Sequence, residues 1–529
     1  MNLRFLLGVI ALGSTLFFTR ITAASEAVPE PFFNAAVFET VTFQVGAWVE
    51  TEPQEQEEGR VVTFQARGLP KGLSCDATTG VIRGVPLRPG KSKVTITGTD
   101  QDRHKTITRV ILNVEGFPAE WVDEHHGLID TDAGGLKIRG FVRLIVAAHG
   151  SFSGKLILGF QEFPLKGSLV KREAEGPFKA EIVLQPDLTL SMETSMDGLT
   201  CILERDESSD EPWQSVFGAL RRTYDKKHPA TWAKGVYNVY SAPPGQSFPH
   251  DDHPLGDSIY SLTVSADGRA LLKGVLADGS AVTWSGVLLG EEPTRVLFPI
   301  YLPLYKVKKV PSGLLMGDLS VYTETAEGAP KSPPETGVKD YLGGHLIWEK
   351  AAAVSDRERL YPEGFSMELT TEGLPYQRPR SGSLLLNAPV GNFNAVLSFY
   401  TEGVADFGQW FTITRTNGIK MPTPDAESSV SKISLSVNAR TGFFSGSCAV
   451  KEGRRTCKFR GIIIQPSSGR GKGQGHFLLP DLPEVGVSTP PLILSGAMAW
   501  MALASGGPGG GSPDDWQPPY DPNPIVNPP

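Results

Sequence analysis

The stretch Gly68-Leu69-Pro70-Lys71-Gly72-Leu73-Ser74 runs, after Cys75, into Asp76-Ala77-Thr78-Thr79-Gly80-Val81-Ile82-Arg83-Gly84-Val85-Pro86. Its Gly-Leu-Pro start predicts a turn out of one strand, and Leu73 is the apolar residue expected in the core. Thr79-Gly80 predicts the tight turn of the following hairpin. Gly84 and Pro86 end that hairpin, because proline cannot donate a hydrogen bond within a central strand. This order of turns predicts a β-sandwich.

Short β segments surround this stretch and are separated by glycine and proline turns. They cover residues 61–66, 80–84, 93–98 and 106–114. The GLPKGL turn, the D-x-x-T-G-x-I-x-G-x-P hairpin and the later step Thr95-Ile96-Thr97-Gly98-Thr99-Asp100 together resemble the Ig-like repeat of bacterial surface and secreted proteins. That family belongs to the cadherin-like superfamily. The resemblance implies an Ig-like sandwich at residues 33–116 and no chemistry.

The composition predicts several β domains. At 529 residues the chain exceeds the size of one hydrophobic core, so about three or four domains are expected. The 58 glycines and 42 prolines, with only 20% charged residues, suit many short strands and turns. A net charge of -8 without a long basic cluster argues against a nucleic-acid partner, which would need a basic face.

Both ends of the chain predict segments outside the folded domains. Residues 1–24 have the form of a signal peptide, with Arg4, an apolar core over 5–18 and the small residues Thr22-Ala23-Ala24. The apolar core is shorter than the roughly 20 residues of a membrane span, so no transmembrane span is expected in the mature chain. Residues 505–529 are rich in proline and glycine and predict a disordered tail. We therefore expect an exported protein in the periplasm, at the cell surface or outside the cell.

One hairpin pattern occurs three times after Trp121. The apolar residues of an L-x-V strand lead to a turn glycine, and a second glycine follows in the returning strand. The strands start at Leu144, Leu262 and Leu435, the turn glycines are Gly150, Gly268 and Gly442, and the strand glycines are Gly154, Gly274 and Gly446. We expect the turn glycines to close hairpins and the strand glycines to allow a bulge or a sharp bend.

These hairpins predict an all-β fold: the N-terminal Ig-like sandwich, then tandem antiparallel β-meander or barrel-like modules. We place the modules at residues 117–224, 232–350 and 361–504, each with about seven to nine strands, since closed meanders hide their edges. The one candidate helix is Trp213 to Tyr224, and Leu492 to Leu503 predicts a closing strand. This region resembles parts of uncharacterised exported bacterial proteins, which implies no activity.

Two of the four cysteines predict a disulfide. A two-residue turn at Glu452-Gly453 places Cys448 directly opposite Cys457. Counted from the turn, the pair is a non-hydrogen-bonded one, whose close spacing suits a disulfide in an exported chain. The alternative is two reduced thiols on a hairpin. Cys75 and Cys201 fall in different predicted domains, so their pairing stays open.

Two groups of residues are candidate metal ligands. Because cadherin-like sandwiches can bind calcium between successive domains, the resemblance implies a calcium site of Asp100, Asp102, Asp123 and Glu124. His250, Asp251, Asp252 and His253 combine imidazole and carboxylate, which suits Zn²⁺ or another divalent metal. The competing interpretation is a purely structural repeat in the first case and a solvated loop between prolines in the second.

A third group of candidate metal ligands resembles only part of a calcium-binding loop. Asp123-Glu124-His125-His126 precedes Asp130-Thr131-Asp132-Ala133-Gly134, whose alternating carboxylates resemble part of a calcium loop. The distal bidentate glutamate of such a loop is missing at the required spacing. Calcium is the one possible cofactor predicted besides the divalent metal of the His250 group.

The sequence contains no recognisable catalytic motif. It lacks a G-x-S-x-G elbow, a cysteine with a plausible histidine partner and an H-E-x-x-H helix. A pair of carboxylates for glycoside hydrolysis stays open, because their separation is spatial. Flat aromatic rings could form a sugar platform, although tryptophan is usually buried; the candidates are Trp213, Trp232, Trp284, Trp348 and Trp410.

The preferred interpretation is a non-enzymatic exported protein for adhesion, surface assembly or scaffolding. The alternative is a glycan-binding accessory protein, and a secreted hydrolase is a weaker one. The partner of such a surface protein is a surface polymer, a glycan or a protein, and the sequence leaves its identity unknown.

Overall fold

The structure is a computed structural model in which almost every ordered element is a β-strand. The described residues form 31 β-strands and two single-turn 3-10 helices, without an α-helix. None of them lies in a helix long and apolar enough to span a membrane. The chain divides into two compact units, residues 1–221 and 222–529. The structure describes residues 40–51, 62–173, 176–206, 209, 211–243, 252–290, 295–306, 310–323, 340–353, 355, 357–400, 407–423, 430–451, 454–466, 469–482 and 491–503.

The expected signal peptide at 1–24 and the expected tail at 505–529 lie outside the described residues. They stay predictions.

The first unit begins with the two sheets of the Ig-like sandwich. One sheet has the order β1-β7-β6-β3 and the other β2-β5-β4, and β1 pairs with β7 in parallel. Both sheets contribute to one core that includes Phe64, Ile82, Ile96 and Leu112. The strands are β1 Thr40–Gln44, β2 Val49–Glu50, β3 Val62–Arg67, β4 Leu73–Cys75, β5 Ile82–Gly84, β6 Gly90–Asp100 and β7 Lys105–Glu115.

The GLPKGL stretch has the conformation that its residues predict. The φ angle of Gly72 is 98°, and a side chain at this position would place its Cβ 2.0 Å from the carbonyl oxygen of Val85. Leu73 packs against the core of the sandwich. In the hairpin turn, Asp76 Oδ1 accepts hydrogen bonds from the backbone N–H groups of Thr78 and Thr79, which lowers the pKa of its carboxyl. Local turn chemistry therefore fixes this part of the sandwich.

An eight-stranded antiparallel sheet follows in the first unit, with the order β11-β10-β9-β8-β15-β14-β13-β12. Successive strands pair as hairpins, and the first strand pairs with the last. An isolated bridge from Val170 to Lys179 joins the two edges. The strands are β8 Asp123–Ala133, β9 Leu136–Val146, β10 Ser151–Leu158, β11 Gln161–Ser168, β12 Lys179–Gln185, β13 Leu188–Ser195, β14 Gly198–Arg205 and β15 Trp213–Arg221.

The second unit contains two more eight-stranded sheets. The second sheet has the order β19-β18-β17-β16-β23-β22-β21-β20, which repeats the plan of the first. A bridge from Leu289 to Leu297 joins its edges. Its strands are β16 Gly235–Ala242, β17 Ser258–Val264, β18 Arg269–Val275, β19 Ala281–Val287, β20 Arg295–Leu304, β21 Gly313–Thr323, β22 Asp340–Lys350 and β23 Phe365–Pro375.

The third sheet has the order β26-β25-β24-β31-β30-β29-β28-β27, again with the first strand next to the last. Its two edge strands are β26 and β27, so the break in the sheet follows the third strand in chain order, whereas in the first two sheets it follows the fourth. Its strands are β24 Ala395–Tyr400, β25 Phe407–Ile413, β26 Ile419–Lys420, β27 Val430–Val437, β28 Phe443–Val450, β29 Arg455–Ile464, β30 Lys472–Pro480 and β31 Ile493–Ala502. The three sheets are near-barrels in tandem, so the all-β prediction is confirmed.

Two details differ from the sequence analysis. Trp213–Arg221 is strand β15 and not a helix, because its alternating buried and exposed residues pair with β14 and β8. Strand β23, Phe365–Pro375, pairs with β16 and β22 and completes the second sheet, although the predicted boundary at 350/361 assigns it to the third module. The segment between β22 and β23 looks like a linker in sequence, but hydrogen bonds such as that from the N–H of Ala353 to the Pro362 carbonyl fold its described residues back toward the same sheet.

The three L-x-V hairpins share one geometry. Each turn glycine lies in the left-handed region, with φ angles of 74° at Gly150, 75° at Gly268 and 77° at Gly442. At each strand glycine, a Cβ would lie 2.0 Å from a backbone carbonyl oxygen of the paired strand. The pairing continues through Gly154 and Gly274 without a shift of register, so close approach and not a bulge explains these glycines.

Large apolar side chains fill the inside of each near-barrel. The core of the second sheet includes Tyr237, Tyr260, Phe298 and Trp348, all at most 1% exposed. In the third sheet, the ring of Phe444 lies edge-on to Trp500, with their centroids 5.1 Å apart. The core of the first sheet is mainly aliphatic. Among the described residues, the barrel interiors are packed cores.

Candidate functional sites

The β6–β7 turn brings two of the predicted calcium ligands together. Asp100, Asp102 and His104 place one ligand atom each within 4.8 Å of one another. Asp100 Oδ1 accepts a hydrogen bond from the backbone N–H of His104 at 2.7 Å, and Oδ2 lies 3.2 Å from His104 Nδ1. Calcium takes six to eight oxygen ligands, more than these described side chains offer. Calcium at this turn stays a prediction.

The other two predicted calcium ligands are not members of that cluster. Glu124 is buried, and its Oε1 lies 2.8 Å from His126 Nε2 and 2.6 Å from Arg143 Nε. Burial raises the pKa of Glu124, but the hydrogen bonds and charges of His126 and Arg143 outweigh it and lower the pKa to about 2. Asp123 Oδ1 accepts a hydrogen bond from the backbone N–H of Glu124. Glu124 is therefore a buried carboxylate that pairs with the half-exposed Arg143 and with His126.

The His250 group lies only partly within the described residues. His250 and Asp251 are outside them. His253 Nδ1 lies 2.6 Å from Asp252 Oδ1 in an exposed pair. A divalent metal at this loop stays a prediction.

The cysteine pair has the predicted register. Cys448 pairs directly with Cys457 across β28 and β29, and both side chains are 1% exposed. The N–H of Arg454 donates to the carbonyl of Lys451, as a two-residue hairpin turn requires. All four cysteines are free thiols in the structure, and Cys201 is buried, which raises its pKa to about 12. The disulfide itself stays a prediction.

The tryptophans proposed as a sugar platform are not exposed. Trp213 and Trp348 are buried, and Trp348 is 0% exposed. Trp232 and Trp284 pack against the core of the second sheet and donate their indole N–H groups to Tyr224 Oη and the Pro299 carbonyl. Trp410 is half-buried. The rings of the first four tryptophans therefore serve packing and form no sugar platform, whereas a sugar contact at Trp410 stays a prediction.

A polar seam joins the second and third sheets within the second unit. The amide of Asn238, 1% exposed, donates to the carbonyls of Thr441 and Ile463 at 3.0 and 2.8 Å. Lys472 Nζ donates to Tyr240 Oη at 2.9 Å. Beside it, burial raises the pKa of Asp257 to about 7, against the lowering effect of Lys472. Sequence reasoning missed this seam because its partners lie more than 200 residues apart.

An open groove of about 560 Å³ lies on the outer face of the third sheet. Ser434 and Ser436 of β27, Ser445 and Ser447 of β28, Lys458 and Arg460 of β29, and His476 of β30 line it. The sequence analysis missed this groove. The sequence does contain a pattern that indicates it. The polar residues alternate with apolar ones on successive strands, which places them on one face of the sheet.

Comparisons with known proteins agree with the Ig-like prediction. Residues 31–115 match the family model described as "Putative Ig domain". A 53-residue segment is 45% identical to a serine-rich adhesin for platelets from Staphylococcus aureus strain MRSA252, covering 10% of this chain and 4% of the adhesin. The same adhesin of strain USA300 matches equally, over 2% of its length. The chain therefore spans only a few per cent of these relatives.

Among solved structures, the chain is similar to protocadherin gammaB7 domains EC3-6, with 10% identity and a TM-score of 0.15 over 87% of this chain and 98% of that one. Protocadherin gamma B2 domains 3-6 give 9% identity and a TM-score of 0.15 over 89% and 99%. The part of the chain that is similar to Ig-like repeats is residues 31–115, which match the family model "Putative Ig domain".

Proposed function

We propose that this chain is an exported, non-enzymatic surface protein of the adhesion type. The observation that carries the proposal is the filled interior of the three near-barrels, seen in buried aromatic side chains such as Trp348, Phe298, Phe459 and Trp500. Ligand and active sites are usually concave and partly polar, whereas a packed core serves rigidity. The Ig-like repeat at residues 31–115 and the short adhesin match support an extracellular or surface location.

The test is retention on a surface together with a search for turnover. Beads coated with the full chain are passed over immobilised glycans and matrix proteins, and the eluted polymers are sized by mass spectrometry. The expected result is retention of the beads with every polymer unchanged. Shortened or modified polymers overturn the non-enzymatic part, and loss of retention on every surface overturns the adhesion part.

Glycan binding is the second candidate function. The groove on the third sheet favours it, since hydroxyl and cationic side chains face solvent together there. The tryptophans that pack in or against the cores give it no support.

A further inference from the structure

We propose that the groove on the third sheet binds an acidic saccharide, a sugar chain that carries both carboxylates and free hydroxyls. The inference rests on the proposed function, because it names the class of surface ligand that such a protein would hold. Three features of the groove carry it: two cations and a buried acceptor, all three without partners in the part of the chain that the structure describes, and rows of hydroxyls across neighbouring strands.

The cations are Lys458 and Arg460. They lie two positions apart on β29, so both side chains point to the same outer face, and both residues are exposed. Among the described residues, no acidic one lines the groove, although the chain as a whole carries a net charge of -8. Within the described part of the chain, neither cation forms an ion pair. A guanidinium binds carboxylates through two parallel hydrogen bonds, so this pair favours an anionic ligand.

The acceptor is His476 Nε2. His476 is 1% exposed, and its Nδ1 lies 2.8 Å from the carbonyl oxygen of Asp257. A carbonyl can only accept, so Nδ1 carries the hydrogen and Nε2 of the neutral ring is an acceptor. Burial, assisted by Arg460, lowers the pKa of His476 to about 4, which keeps the ring neutral near pH 7.

His476 Nε2 has no hydrogen-bond partner among the described residues, although it is buried. An unpaired buried acceptor is unfavourable, so a hydrogen-bond donor from a ligand would stabilise it. A sugar hydroxyl supplies such a donor. A fully ionised sulfate or phosphate does not, which favours a hydroxylated anion over a bare one.

The serines extend the site across the sheet. Ser436, Ser445, Arg460 and His476 are direct neighbours on four successive strands. At about 4.8 Å between strands, this row is about 14 Å long. A second row, Ser434, Ser447 and Lys458, runs beside it. Hydroxyl groups both donate and accept, as sugar hydroxyls do, so the groove matches several sugar units better than one small ion.

The experiment is isothermal titration of the full chain. The probes are an oligogalacturonate and a sialylated oligosaccharide, which present the same chemistry from two sources, with neutral dextran and inorganic sulfate as comparisons. The test variant is Lys458→Gln with Arg460→Gln. The matched control is Arg415→Gln with Lys420→Gln, which removes two exposed cations from the β25–β26 hairpin of the same sheet.

We expect at least one acidic oligosaccharide to bind, and its affinity to fall about 10-fold or more in the test variant, since hydrogen bonds to charged groups are worth about 1.5–3 kcal/mol. The control should bind as the native chain does. Ser436→Ala with Ser445→Ala should weaken binding without changing charge. The acidic probe that binds shows which of the two kinds of sugar chain, galacturonate or sialylated, is the source of the ligand.

Four results overturn the inference: no saturable binding of either acidic oligosaccharide, equal binding of neutral dextran, inorganic sulfate binding as tightly as the oligosaccharide, or equal losses in test and control variants. If the titrations show no specific binding of an acidic saccharide in the groove while coated beads are still retained, adhesion acts through another surface and the proposed function stands. Near-UV circular dichroism of each variant verifies that the sheet is folded.

Discussion

At the scale of single residues, the Glu124 carboxylate makes stability depend on pH. Its pKa of about 2 lies below the usual 4.5, so its ion pairs stabilise the fold fully above pH 4.5. That contribution is lost as the pH falls through 2. Because Arg143 is half exposed, solvent screens the pair, and we expect a contribution to stability of about 1–2 kcal/mol.

Glu124→Gln should therefore lower the free energy of unfolding of the first unit by about 1–2 kcal/mol at pH 7, and by much less at pH 2. Urea unfolding at both pH values measures this. Glu162→Gln is the control, because Glu162 pairs with Lys155 at an exposed site. Equal effects of both variants, or a loss that persists unchanged at pH 2, would contradict this account of Glu124.

The pair Cys448 and Cys457 gives a second prediction at this scale. In an oxidising compartment we expect them to form a disulfide, because they are direct cross-strand neighbours. A bridge closing so short a loop is worth about 2–3 kcal/mol. Thiol titration of the oxidised, unfolded chain should then find Cys75 and Cys201 free, and Cys448→Ser with Cys457→Ser should lose that stability. Four free thiols after oxidation would argue against the bridge.

At the scale of the element, the strand glycines define the hairpins. Gly154→Ala places a Cβ 2.0 Å from the carbonyl oxygen of Arg143, whereas Gly218→Ala in the same sheet meets nothing within 4 Å. We expect the first change to destabilise the first unit by about 2–3 kcal/mol and the second to be nearly neutral. Thermal melts compare them. Equal midpoints for both variants would show that the close approach is absent.

Much at this scale could be predicted from the sequence, because it depends on local turn chemistry. Gly150, Gly268 and Gly442 fix the hairpin turns by their conformation, and the turn after Val450 fixes the register of the cysteines. Strand β23 could not be placed, since its partners depend on which sheet the returning loop reaches. The groove needs four strands in register, which no short pattern specifies.

At the scale of the whole molecule, the chain should unfold as two units. The second and third sheets share the Asn238 hydrogen bonds and an apolar cluster that includes Tyr240, Ile259 and Ile462. We expect calorimetry to give one transition for residues 222–529 and another for the first unit.

Asn238→Ala should lower the stability of the second unit alone by about 1–3 kcal/mol, because it removes the two hydrogen bonds that the buried amide donates to the carbonyls of Thr441 and Ile463. Thr263→Ala, a change at an exposed position of the neighbouring strand β17, is the control. Separate transitions of the second and third sheets, or a shift of both units by Asn238→Ala, would contradict the two-unit description.

The proposed adhesion-type function requires that the chain holds a surface ligand and does not transform it. The most direct measurement is retention of beads coated with the full chain on immobilised acidic and neutral glycans and matrix proteins, with mass analysis of the polymers afterwards. The account predicts retention with chemically unchanged polymers. No retention on any surface, or a polymer that is cut or modified, would contradict it.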